Sequence, residues 1–231
     1  SGNRGNNMVI PRIIHRIWFG PRAMPRAYVE YGNKWSELNP DWKLIDWDYW
    51  MLPPLQNKWH FDNVGTGWNP NPGAAKHNSI IQVAQADIAA YEILHLIGGL
   101  YVNCDMEPLR PIPEELTDHP VTLANEIDNW LISNAWMMSA PRQPLFSTVI
   151  DAIPENIKNE HRTIDWKTGP KLLTRIVKDN YPDTHILPAK YCNPWTPQVP
   201  TGPVPESLCQ HHWGHRIPDS ELWDHETADG P

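Results

Sequence analysis

Between Gln82 and Leu109 the chain reads QVAQADIAAYEILHLIGGLYVNCDMEPL, and few folds accommodate that order of residues. An apolar-rich helical stretch stops at Gly98-Gly99, a short strand follows, and Asp105 arrives just past the strand's end. A strand this short carries its last residues to the edge of a sheet. In open α/β folds that edge is where ligand and metal sites collect. The window therefore predicts both an architecture and the place where its chemistry sits.

Within the helix, Ile80, Val83, Asp87, Ala90, Leu94 and Ile97 fall on one stripe. The other side (Ile81, Ala84, Ile88, Tyr91) is apolar too, so the helix packs against neighbours on several sides. Asp87 is then poorly solvated, and a buried carboxylate must be paired or hydrogen-bonded. It serves either a structural turn or arginine, or the hydroxyls of a ligand. Asn103-Cys104-Asp105 offers oxygen donors at i and i+2, which suits a hard cation such as Mg²⁺ or Mn²⁺. Taken alone, such a tripeptide is usually a turn.

The flanks read as alternating strands and helices. IIHRIWF, inside Val9–Phe19, is a buried first strand; Ala23 to Leu38 is helical; WKLIDWD at 42–48 is a second strand. Residues 52–75 read as one long loop, and long ordered loops are usually functional. Strands are expected at 121–123, 131–138 and 185–187, and helices at 78–97, 143–153 and 169–178. The tail from Asn193 reads as Pro-rich coil. This is an α/β chain with a mixed sheet and no internal repeat. Residues 1–7 read as disordered or tag-derived, and 8–231 as a single domain.

Net charge is −8, which disfavours a generic nucleic-acid binder. Cys104, Cys192 and Cys209 are too sparse for a disulfide framework and read as free thiols. Neither a membrane-length apolar run nor a signal peptide is visible, which points to a soluble cytoplasmic protein. The clustered His211, His212 and His215 are surface or packing histidines as readily as ligands. Of the 13 tryptophans most fill cores and loops; Trp18, Trp136 and Trp213 are the candidates for a site.

These residues carry a family resemblance. The window resembles the sugar-binding region of glycosyltransferases with a DXD motif. That group includes yeast initiating α-mannosyltransferases, α-1,4-galactosyl and N-acetylglucosaminyl transferases and bacterial capsule enzymes, and more distantly the clostridial glucosylating toxins. IPRIIHRIWFG, NPDWKLIDWD, ISNAWMMSAP, TGPKLLTRI and CQHHWGH resemble the family's other blocks in the same order.

The resemblance implies an A-type glycosyltransferase fold, a Rossmann-like mixed sheet flanked by helices. It also implies a retaining hexosyltransferase that uses a nucleotide-sugar donor, UDP-linked in preference to GDP-linked, with Mn²⁺ or Mg²⁺. Trp18 stands where an aromatic stacks on the donor base, next to Ile17. Asp87 stands where an acid holds donor sugar hydroxyls, with Tyr91 on the same helix. Asp105 is the metal-binding second acid of the motif, and His212, or His211, the late histidine. Asn134 and Thr168 lie in blocks that line the pocket.

Two departures stand out. Asn103 replaces the motif's first acid, keeping only an amide oxygen for a metal or a ribose. Ala90 replaces an arginine, a loss for which Arg216 is a candidate substitute. They motivate alternatives: a nucleotide-sugar-binding pseudoenzyme, or a metal-dependent nucleotide-sugar hydrolase. The acceptor hydroxyl is left open between glycan, lipid, protein and nucleic acid, the last not indicated.

Overall fold

A computed structural model describes residues 9–20, 22–64, 77–159, 163–195 and 202–213. Of residues 77–80 it describes the backbone alone. The expected disorder at 1–7 and the candidates His215 and Arg216 lie outside the described residues.

The chain runs β1 (Ile13–Ile17), α1 (Arg26–Leu38), β2 (Lys43–Trp47), α2 (Lys58–Asp62), α3 (His77–Leu96), β3 (Gly99–Val102) and β4 (Met106–Pro108). It continues with β5 (Val121–Ile127), β6 (Leu131–Ser139), α4 (Pro144–Lys158), α5 (Ile164–Lys167), α6 (Pro170–Asn180), β7 (His185–Leu187), α7 (Ala189–Cys192) and β8 (Cys209–His211). One sheet has the order β2-β1-β3-β6-β5-β7, and β4 pairs with β8 in a second, two-stranded ribbon. The pairs β1/β2, β1/β3 and β5/β7 are parallel, whereas β6 runs antiparallel to β3 and β5. The large sheet is thus mixed, as its sequence predicts.

Both faces of that sheet are covered at its centre, so β3 is buried at every position. Leu100, Val102, Trp136 and Met138 join the cluster around Trp35 of α1. The intervening Tyr101 and Met137 join the opposite cluster, built with Ile88, Leu94, Phe146 and Leu172. Helix α3 lies inside this second cluster, as its all-round apolar composition demands.

The Gly98-Gly99 break is fixed by sterics. Both residues have positive φ (74° and 112°), and a Cβ on Gly99 would sit 2.5 Å from the Ile13 carbonyl oxygen. His15 Nε2 donates to the Gly98 carbonyl oxygen (2.8 Å), and Trp47 Nε1 donates to His15 Nδ1 (3.1 Å). Burial drives the His15 pKa down to about 4, so the ring is neutral and can take both roles.

Three expectations are corrected. The 52–75 loop contains a helical turn, α2. The helix expected to end at Ile153 continues through Pro154 to Lys158. Proline removes the bond that the Ile150 carbonyl would have accepted, and the buried Asn57 carboxamide donates to that oxygen instead (2.9 Å). Finally, the supposed coil after Asn193 supplies β8. Among the described residues no helix is long and apolar enough to cross a membrane.

Candidate functional site

The site is built at the carboxyl ends of β1 and β3. Past Val102, the Asn103 amide donates to the Ala135 carbonyl of β6 (2.9 Å), and the Met106 amide closes a turn onto the Asn103 carbonyl (3.0 Å). Asp105 stands in that turn. The Cys104 thiol ties the turn to β1 by donating to the Ile17 carbonyl (3.2 Å), one residue before Trp18. Burial pushes that thiol's pKa up to about 12, so it keeps its proton. Trp18 is half-buried, with its indole N–H donating to the Arg22 carbonyl (2.9 Å). Its ring packs on Gly20, where a Cβ would lie 2.7 Å from it.

The surroundings of Asp105 are polar. His211 Nε2 lies 3.1 Å from Asp105 Oδ1, yet neither nitrogen of this buried ring makes a hydrogen bond. The Tyr28 hydroxyl is likewise buried without a hydrogen bond. Burial first, and then the charge of Asp105, raise the Tyr28 pKa. Buried polar atoms left this way are costly in a finished core. A carboxylate beside an orphaned imidazole nitrogen is a donor set that suits a borderline-hard divalent cation. Among the described residues no group of three or more His, Cys, Asp or Glu side chains is gathered for a metal ion.

His212 goes elsewhere. Its Nε2 is 3.0 Å from Glu107 Oε2, and Lys34 Nζ is 2.9 Å from Glu107 Oε1. Tyr31 stacks on the imidazole with centroids 5.2 Å apart. Burial would raise the Glu107 pKa, but the hydrogen bonds and charges of Lys34 and His212 outweigh it and hold the pKa below its ordinary value. This cluster fastens the β4–β8 ribbon to α1, as does the Trp35 indole donating to the Met106 carbonyl (3.0 Å).

Asp87 is placed by α3 and completed by two other elements. Asn134 of β6 donates its amide to Oδ1 (2.8 Å), and Thr168 donates its hydroxyl to Oδ2 (2.9 Å). The same Asn134 amide reaches the Tyr91 hydroxyl at 3.4 Å. Tyr91 follows Asp87 by four residues, so both project from one helix face. Burial pushes the Asp87 pKa up to about 7; the Thr168 and Asn134 bonds oppose this, and the nearby Asp165 carboxylate adds to it.

The structure thus gathers Asp87, Tyr91, Asn134 and Thr168 in one group, and Asp105 with His211 in another. Asn103 faces a third partner: its side-chain oxygen accepts from the Tyr101 hydroxyl (3.0 Å). Ile17 contributes its backbone carbonyl. Ala90, in the position of the lost arginine, is wholly buried. Sequence reasoning missed Tyr28, Glu107 and Asp165. Only Glu107 carried a signal, an acid two residues after Asp105.

Comparison with known proteins follows this geometry. Residues 25–135 match the family described as the glycosyltransferase sugar-binding region containing a DXD motif. The chain is 28% identical over 165 residues to inositol phosphoceramide mannosyltransferase 2 of Schizosaccharomyces pombe. That match covers 70% of this chain and 44% of the relative, so the chain spans less than half the relative's length. A solved structure titled PaToxG glycosyltransferase superposes with a TM-score of 0.57 at 14% identity, covering 75% of this chain and 71% of the other. The UDP-bound glycosyltransferase domain of the YGT toxin gives 0.51 at 10% identity, covering 78% and 79%. These likenesses establish the fold, an A-type glycosyltransferase fold.

Proposed function

We propose that this chain, whose residues 25–135 carry a glycosyltransferase sugar-binding region, moves a hexose from a nucleotide-sugar donor to an acceptor hydroxyl. The observation that carries the reading is Asp105 beside His211. A buried carboxylate and an imidazole nitrogen 3.1 Å apart at a strand end support a cation site there. Asp105 and His211 would hold Mn²⁺ or Mg²⁺, with the Asn103 amide oxygen at the rim and phosphate or water oxygens completing the shell. Such a cation, when bound, supplies Lewis-acid stabilisation of the leaving diphosphate.

The remaining steps fall to this chain's own residues. Trp18 offers an aromatic face to the donor base, a contact worth roughly 1–3 kcal/mol. Asp87, already oriented by Asn134 and Thr168, accepts hydrogen bonds from donor sugar hydroxyls. The Tyr28 hydroxyl is a buried donor beside Asp105 for a phosphate oxygen. The acceptor oxygen bonds to the anomeric carbon as the bond from that carbon to the diphosphate breaks. The acceptor's proton leaves on the diphosphate. With no carboxylate assigned as nucleophile among the described residues, attack from the leaving group's own face gives retention. The UDP-bound neighbour favours UDP as the nucleotide, while the mannosyltransferase relative favours mannose as the sugar.

A second reading, binding without turnover, is favoured by Asn103 and by the burial of Ala90 where a cation would stand. One experiment separates the two. Thermal shifts are measured with UDP, GDP and their sugars, with and without Mn²⁺, alongside donor turnover. A metal-dependent shift is expected, since a ligand at 100 times its Kd stabilises by about 2.7 kcal/mol. No shift with any nucleotide would sink both readings, and a shift without turnover would leave only the second.

A further inference from the structure

Near Asp87, the single turn α5 and the first turn of α6 together present an aromatic ring, a carboxylate and an ammonium. Trp166 is 37% exposed. Lys171 Nζ lies over its ring, 5.7 Å from the centroid, and 3.8 Å from Asp165 Oδ2. The Asp165 side chain is 55% exposed and that of Lys171 32%. Two residues on, Thr168 is wholly buried with its hydroxyl on Asp87. The turn joining them is tight: the Gly169 amide donates to the Ile164 carbonyl (3.1 Å), and a Cβ on Gly169 would lie 2.9 Å from the Asp165 Cα. The rim group is therefore held rigidly to the acid at the centre of the site. Asp165 is also close enough to Asp87 for its charge to raise the Asp87 pKa.

We propose that Asp165, Trp166 and Lys171 form the acceptor subsite, and that the acceptor is a carbohydrate. An indole face packs the C–H side of a pyranose ring, a carboxylate accepts from its hydroxyls, and an ammonium donates to them. A lipid chain would meet two charges here, and a nucleic acid would meet Asp165. The subsite rests on the reading of Asp87 as the donor-sugar acid, because the acceptor hydroxyl must stand against that sugar.

The test uses immobilised oligosaccharides ending in mannose, galactose or glucose, probed with the full chain, MnCl₂, and UDP or GDP. Nucleotide thermal shift is measured in parallel. The wild-type chain should retain at least one glycan. Trp166→Ala should lower retention tenfold or more and Asp165→Asn severalfold, both with the nucleotide shift intact. Trp50→Ala, at a 94% exposed tryptophan after β2, should match wild type. Asp165→Asn, at an exposed carboxylate, decides the matter should Trp166→Ala fail to fold. Wild-type retention in both variants overturns the subsite, as does a wild-type chain that shifts with nucleotide yet holds no glycan. Absence of any nucleotide shift fells the donor reading instead, and the subsite with it.

Discussion

Asp87 and Asp105 are the two carboxylates of the proposed site, and the protein surrounds them in different ways. Asp87 receives one hydrogen bond on each oxygen, from Asn134 and Thr168. Asp105 instead faces an imidazole with both nitrogens unbonded and lies near a buried, unbonded tyrosine hydroxyl. The first acid is oriented before any ligand arrives, as preorganised recognition of neutral hydroxyls requires. Around the second, the His211 ring and the Tyr28 hydroxyl are buried without a hydrogen bond. On the proposed function, the Asp87 end would read a sugar and the Asp105 end would take cation and diphosphate.

The comparison breaks most readily at Asp105. Asp105→Asn should lower turnover by on the order of 10³-fold and abolish the Mn²⁺-dependent thermal shift. Asp87→Asn should keep that shift. If the two variants lose it equally, the division between the ends is wrong.

Asp87→Asn should cost on the order of 10²-fold in kcat/KM, about 2.7 kcal/mol of transition-state stabilisation. It also carries a pH signature. The folded carboxyl holds its proton up to about 7, whereas the unfolded one releases it near the ordinary carboxylate value. The folded state therefore binds more protons between those limits, and this group's contribution to stability declines as pH rises from about 4 to about 7. Melting wild type and Asp87→Asn across that range should show a decline in the first that the second lacks. Parallel curves would refute the burial of Asp87.

The smallest effect distinguishes neighbouring histidines. His211→Ala should weaken Mn²⁺ binding roughly 10- to 100-fold, read by the paramagnetic resonance of free Mn²⁺. His212→Ala should leave it within a fewfold and cost stability of about 1 kcal/mol, since it breaks a half-exposed pair with Glu107. The reverse ranking would move the cation to the other face of the ribbon.

Much of this was legible in the residues. The helix, glycine pair and strand from α3 to β3 follow from periodicity and sterics, and a carboxylate inside an apolar helix announces itself. What completes each acid was not legible in the same way. Asn134 and Thr168 are 47 and 81 residues from Asp87, and only their family resemblance singled them out. The adjacent His211 and His212 cannot be told apart by spacing. Their roles depend on β4 and β8, three-residue strands with no periodicity of their own that exist because they pair with each other. Likewise Pro154 ends a helix on paper, and only the distant Asn57 side chain lets it continue.

The β4–β8 ribbon also sets an order in time. Met106 and His211 are paired across more than a hundred residues of intervening chain, and such closures are slow to form. A ribosome making this protein finishes the sheet strands and α3 well before His211 emerges. The group around Asp87 is therefore complete in the chain before the pair of Asp105 and His211. On the proposed function, a nascent chain stalled before β8 would carry Asp87 yet lack His211, one half of the proposed cation pair.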